Sequence, residues 1–140
     1  MRRITCVAVV CTLLAGCGGN GAIGKNAEPV AHLSGDWPGW RGPRGDGHSS
    51  ETELPSRWSK ESIAWSVALP GHGQSTATIW GERIFLNVAD GENISLRCLD
   101  RNTGETLWTR HLSGGDHQER KQNMSSPSPV TNGEQVYVMT

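Results

Sequence analysis

Two stretches of this chain repeat each other, and the repetition constrains the fold more than any other feature. Residues 75–86 match residues 127–138 at a spacing of 52 positions, and residues 63–67 match residues 106–110 at a spacing of 43. Self-similarity at a period of about 20–50 residues is typical of repeat architectures, in which one unit cannot bury its own faces. The sequence therefore predicts a fold built from stacked copies of one small unit.

The repeated unit has the pattern of short strands joined by tight turns. β-Branched and aromatic residues are concentrated in four segments separated by Gly-containing turns. The predicted strands are residues 77–80, 83–88, 94–99 and 106–110. Apolar residues lie on both faces of the third segment, as expected for a sheet packed between two neighbours. We therefore predict an all-β fold, a β-propeller of four-stranded blades.

The turn between the last two predicted strands has the most specific motif, Asp-x-x-Thr-Gly followed by a tryptophan. Residues 96–108 closely resemble the pyrroloquinoline-quinone-type (PQQ-like) β-propeller repeat of bacterial proteins, and residues 36–47 resemble the lead-in of secreted members of this group. The resemblance implies PQQ-like blades. The structural positions of the repeat are then Trp65, Asp100, Thr103, Gly104 and Trp108.

The number of repeats is small for a propeller. Residues 36–140 contain about one and a half predicted blades plus one closing strand at residues 63–67, of the kind that completes the final blade of a ring. Propellers typically have four to eight blades. The expectation is that this chain is a truncated piece of a longer propeller.

The first residues have the pattern of an export signal. Arg2 and Arg3 precede a short apolar run at residues 4–13, and small residues at 14–16 precede Cys17. This pattern resembles a bacterial lipoprotein signal, in which the cysteine becomes the lipidated first residue. A membrane-spanning helix would need about 18 or more apolar residues, and the run is shorter.

The predicted organisation is therefore a signal peptide at residues 1–16, a flexible tether at 17–35 after the lipidated Cys17, and a partial propeller at 36–140. The predicted location is the bacterial cell envelope, with the protein lipid-anchored on the exported (periplasmic or outer) side of a membrane.

Charge and cysteine content agree with this placement. The whole chain has 13 Lys and Arg against 14 Asp and Glu, and loss of Arg2 and Arg3 with the signal leaves 11 against 14, a net charge of −3. No basic surface of the kind that binds nucleic acid is expected. Cys98 is the one cysteine beyond the signal and Cys17, and we interpret it as a packing residue of a buried strand.

A difference between the two repeat spacings locates a long loop. The spacings differ by nine residues, and the extra length lies between residues 112 and 126. In a meander, this connection and the turn at residues 87–93 emerge at the same end of the blade, where loops on a rigid scaffold commonly bind partners. The candidate binding loop comprises Gly114, Asp116, His117, Glu119, Arg120 and Lys121.

No catalytic or metal-binding constellation is evident in the sequence. The PQQ enzymes use a vicinal cysteine pair and acidic and amide Ca²⁺ ligands, and neither pattern is present. The leading prediction is a lipid-anchored, non-catalytic propeller that binds a protein or another envelope component and needs no cofactor. The alternative is a PQQ-dependent quinoprotein oxidoreductase whose cofactor site lies in missing blades. A narrower version of the first prediction is a propeller lipoprotein of outer-membrane β-barrel assembly, although the lead-in at residues 37–47 is not typical of those proteins.

Overall fold

The computed structural model describes residues 35–71, 73–115 and 124–140. Its main element is one antiparallel sheet in which each strand pairs with the next strand of the sequence. The strands are β1 (Thr78–Trp80), β2 (Arg83–Ala89), β3 (Asn93–Asp100) and β4 (Thr106–Gly114). The predicted four-stranded meander is therefore confirmed, with β4 extending four residues farther than the sequence pattern indicated.

The register of the first hairpin follows from a two-residue turn. Trp80 pairs with Arg83, which leaves only Gly81 and Glu82 in the connection. Gly81 has a φ of +56°, whereas Glu82 does not have a positive φ. A glycine with positive φ at the first central position is the pattern of a type II′ turn, whose twist matches that of the flanking strands.

A second strand pair forms one repeat farther along the chain. β5 (Val130–Thr131) pairs antiparallel with β6 (Val136–Tyr137). The turn between them is ordered by Asn132, whose Oδ1 accepts hydrogen bonds from the backbone N–H groups of Glu134 (3.1 Å) and Gln135 (2.8 Å). The prediction that a second unit begins here is confirmed, although each strand is only two residues long.

The second strand pair packs against one face of the first sheet. Phe85, Leu96 and Cys98 from the sheet form a buried cluster with Val136 from β6. Residues one repeat apart also bond directly, because the backbone N–H of Thr76 donates to Ser128 Oγ at 2.8 Å across 52 positions. The matched segments of the sequence therefore lie side by side in the structure.

The predicted closing strand at residues 63–67 is not a strand in this structure. A short 3-10 helix, Lys60–Ser62, precedes it, and no strand of the described residues pairs with the segment. A strand needs a hydrogen-bonded neighbour. This segment instead contacts the first sheet through the indole N–H of Trp65, which donates to the carbonyl oxygen of Arg101. Ile63 is 58% exposed.

No helix within the described residues is long and apolar enough to cross a membrane.

Candidate binding surface

One end of the four-stranded sheet is formed by the turn between β2 and β3. The carboxylate of Asp90 accepts hydrogen bonds from the backbone N–H groups of Asn93 (2.7 Å) and Glu92 (3.2 Å). These bonds hold the pKa of Asp90 below its ordinary value, since they stabilise the charged form. The turn is thus a fixed, acidic feature rather than a loose connection.

The candidate binding loop leaves the sheet beside this turn. Gly114, its first residue, pairs with Asn93 at the end of β4. The next residue, Gly115, donates its N–H to the carbonyl oxygen of Glu92 at 2.7 Å, and His111 Nε2 lies 3.1 Å from Asn93 Oδ1. The other members of the candidate loop lie outside the described residues: Asp116, His117, Glu119, Arg120 and Lys121.

A buried anchor follows the candidate binding loop along the chain. Ser125 is fully buried, and the side-chain amide of Asn87 donates to the carbonyl oxygen of Pro127 at 2.7 Å. Asn87 lies on β2 and is 1% exposed, so this bond is shielded from water. Gly115 and Pro127, which lie on either side of the candidate loop in the sequence, therefore both bond to residues of β2 or of the turn after it. The role of Asn87 is not visible in its local sequence.

The repeat-motif residues lie at the opposite end of the sheet, at the turn between β3 and β4. The carboxylate of Asp100 accepts hydrogen bonds from the backbone N–H groups of Asn102 (2.9 Å) and Thr103 (3.0 Å), and from Thr103 Oγ1 at 3.3 Å. These bonds lower the pKa of Asp100. Gly104 ends the turn with a φ of +76° and donates its N–H to the carbonyl oxygen of Asp100 at 2.9 Å.

The two repeated tryptophans have different environments. The indole N–H of Trp65 donates to the carbonyl oxygen of Arg101 at 2.9 Å, and its ring covers Gly104 so closely that a Cβ there would collide with it. Trp108 lies on β4 opposite Cys98, with its ring centroid 6.0 Å from that of Phe85. Trp65 thus packs on the turn, and Trp108 packs against the apolar cluster.

An apolar groove of about 710 Å³ lies beside the β5–β6 pair and the segment that precedes β1. Val130 and Tyr137 are paired across the two strands and contribute to its floor, and Trp40 reaches it from the lead-in. Val138 and Met139 also line it. Sequence reasoning did not identify this groove. The 52-residue spacing contains the signal, because Val130 and Tyr137 correspond to the buried Thr78 and Phe85.

Nucleophilic and metal chemistry depend on thiol, carboxylate and imidazole groups, and Cys98 is the one thiol among the described residues. Cys98 is fully buried, and burial raises the pKa of its thiol to about 11, so the reactive thiolate is suppressed. Within residues 35–71, 73–115 and 124–140, no group of three or more His, Cys, Asp or Glu side chains could hold a metal ion.

The meander, its Asp-x-x-Thr-Gly turn and the tryptophan packed on that turn together define a PQQ-like repeat protein. A family model described as outer membrane protein assembly factor BamB matches residues 57–140, which is more than half of the chain. The chain therefore belongs to this family, and the predicted PQQ-like repeat is confirmed. Searches of curated proteins and of solved structures found no match.

Proposed function

We propose that this chain belongs to a lipid-anchored, non-catalytic propeller that binds a protein partner in the bacterial cell envelope. The observation that supports this most strongly is the family match, because the description of the family names an outer-membrane assembly factor. The proposal assigns no catalytic residue and no cofactor. Its membrane contact is the lipid on Cys17, at the start of the tether of residues 17–35.

The proposed contact surface is the end of the sheet that bears the 90–92 turn and the loop leaving Gly115. The turn is held by the Asp90 hydrogen bonds, so little conformational entropy would be lost there when a partner binds. The loop sequence brings acidic and basic residues together, Asp116 and Glu119 beside Arg120 and Lys121. Mixed charge suits an orientable protein contact better than attraction of a strongly charged ligand.

Changing the loop charges tests this surface. In the full-length protein, Glu119→Ala with Arg120→Ala and Lys121→Ala should reduce partner capture in a cross-linking pull-down from envelope extracts by about tenfold, equivalent to about 1.4 kcal/mol. The matched control is Glu105→Ala, an exposed change at the opposite end of the sheet. Equal capture by the triple variant and the control would show that the contact surface lies elsewhere.

The anchor is tested separately. Cys17→Ser should release the protein into the soluble fraction or leave its precursor uncleaved, because the proposed lipids are carried by Cys17. Stable attachment requires two or more lipid signals, and this variant would have none. Cys11→Ser, within the same apolar run, is the control and should leave fractionation unchanged. Identical fractionation of Cys17→Ser and wild type, with no added mass at Cys17, would reject the anchor.

The oxidoreductase alternative gives an opposite result in a simple assay. Full-length protein mixed with pyrroloquinoline quinone and Ca²⁺ should show no dye-linked oxidation of alcohols or sugars. Detection of that oxidation would replace the scaffold proposal with an enzymatic one.

A further inference from the structure

The lead-in segment bonds to both units of the repeat. Trp37 forms an antiparallel bridge with Ile79 of β1, in which each backbone N–H donates to the other residue's carbonyl oxygen at 2.8 Å. The following residue, Pro38, accepts a hydrogen bond on its carbonyl oxygen from the N–H of Thr131 at 2.9 Å. Thr131 belongs to β5. Consecutive residues of the lead-in are therefore bonded to the first strands of two different units.

Asp36 fixes the start of this segment. Asp36 is only 5% exposed, and its carboxylate accepts a hydrogen bond from the N–H of Gly81 at 2.8 Å, across 45 positions of the chain. Gly81 is the first residue of the β1–β2 turn, so Asp36 occupies a backbone donor that the hairpin leaves unused. A buried acceptor in this position is costly to lose, because an unsatisfied donor remains.

The second strand pair needs such support. β5 and β6 contain two residues each, and an isolated two-stranded hairpin is marginally stable in water. Its packing on the first sheet covers only one of its faces. The edge of β1 beside Ile79 and the edge of β5 beside Thr131 would both present open backbone groups without the lead-in, and such edges invite unwanted pairing.

We propose that residues 36–38 are an interblade clasp, which closes the edges of β1 and β5 together and holds the second strand pair in register on the first sheet. The clasp is a conformational device of the fold. It does not depend on lipidation or on the binding surface.

Two aspartates of the lead-in provide a matched pair of variants. Asp36 reaches Gly81, whereas Asp46 bonds only locally, to the N–H of His48 at 2.9 Å and to Arg44 Nε at 3.0 Å. In the full-length protein, Asp36→Ala should speed amide hydrogen exchange at least tenfold at Gly81, Ile79 and Thr131. Asp46→Ala should leave these three amides unchanged. Asp36→Asn keeps an oxygen acceptor and should retain most of the protection.

Faster exchange at Gly81 with unchanged exchange at Thr131 in Asp36→Ala would overturn the clasp, because the contact would then be local to the first hairpin. Unprotected exchange at Ile79 and Thr131 in the wild type would overturn it as well.

A disulfide tests the same contact in a form that does not depend on the stability of Asp36→Ala. A Cβ built on Gly39 would lie 3.7 Å from the Cβ of Val130, within the range of native disulfides. Gly39→Cys with Val130→Cys should therefore form a disulfide under mild oxidation. When Asp36→Ala is added to this pair, the disulfide should restore the protection of the Thr131 amide against hydrogen exchange. Gly45→Cys with Val130→Cys is the control and should stay reduced, since nothing lies within 4 Å of a Cβ at Gly45. Equal oxidation of the two pairs, or no oxidation of the first pair, would overturn the clasp.

Discussion

The two repeat units have matching sequence positions but opposite environments. Positions separated by 52 residues lie on the same face of their respective strands. In the first unit this face is buried, with exposures of 0% at Thr78, 6% at Phe85 and 1% at Asn87; in the second it is open, with 49% at Val130, 40% at Tyr137 and 70% at Met139. A repeat position therefore becomes part of the core only when a neighbouring unit covers it, since one unit cannot bury both of its faces.

The largest expected difference between the units is at the aromatic position. Phe85→Ala should destabilise the protein by about 3–5 kcal/mol, because it leaves a cavity in the buried cluster. Tyr137→Ala, its counterpart, should cost less than about 1 kcal/mol, as is usual for partly exposed positions. Denaturant midpoints of the two variants of the full-length protein provide the measurement. Similar losses would show that the face of the second unit is covered too.

The next effect concerns the side chain of Trp65, which lies in the segment before the first unit and covers a turn of that unit. Gly104→Ala should cost roughly 2–4 kcal/mol, because a left-handed φ is unfavourable for alanine and the new Cβ meets the Trp65 ring. Gly91 has a similar positive φ of +92°, but nothing lies within 4 Å of a Cβ placed there. Gly91→Ala should therefore cost about 1 kcal/mol of stability. Equal losses in thermal or denaturant unfolding would mean that the Trp65 contact adds nothing to the turn.

A smaller effect is expected at the hydroxyl that bridges the units. Thr78 Oγ1 donates to the carbonyl oxygen of Pro129 at 2.5 Å and is fully buried. Thr78→Val should cost about 1–3 kcal/mol, since the carbonyl loses its partner. The reciprocal change at the matching position, Val130→Thr, should stay within about 0.5 kcal/mol because that site is exposed. A neutral Thr78→Val variant in denaturant unfolding would contradict the polar bridge.

The smallest effect is a local one, read from the reactivity of Cys98. The thiol should resist labelling reagents at pH 8 in the folded protein, because burial raises its pKa to about 11. Val136→Ala removes part of the cover over Cys98, about 1.5 kcal/mol of apolar burial, and should speed labelling by about tenfold. Leu107→Ala, at a residue 48% exposed, is the control.

The alkaline pH dependence of the same thiol has a defined sign. Because the folded pKa is raised, the stability that this group contributes is complete below its ordinary value of 9.0 and is lost as the pH rises towards about 11.

Fast labelling of the native wild type at pH 8 would show that the second strand pair does not stay docked over Cys98.

The strands and turns of the first unit could be predicted because their signals are local. Glycines in the turns, β-branched residues in the strands and the 52-residue spacing give the order and pairing of β1 to β4. The short 3-10 helix Lys60–Ser62 and the absence of a strand at residues 63–67 were not predicted. Residues 63–67 have strand-like composition, but strand formation also requires a partner, and composition does not report one.

The placement of the candidate loop relative to the sheet could be predicted only in part. The excess of nine residues located the loop by counting, and the structure places Gly114 and Gly115 beside the 90–92 turn. The anchoring of the far end through Asn87 could not be read from sequence, because an asparagine in a strand gives no local sign of a partner 40 positions away.

The repeat, the strand order and the tight turns could be read from the sequence, because each depends on local residue preferences or on counting. The class of protein was indicated by the resemblance of residues 96–108 to a known repeat. The folded chain was needed to show which of two equivalent faces is buried, that Trp65 covers Gly104, and that residues 36–38 bond to both units. These features depend on contacts between distant segments. Burial and long-range hydrogen bonds depend on which surfaces come into contact. A repeated sequence pattern predicts two similar surfaces but does not indicate which of them is covered.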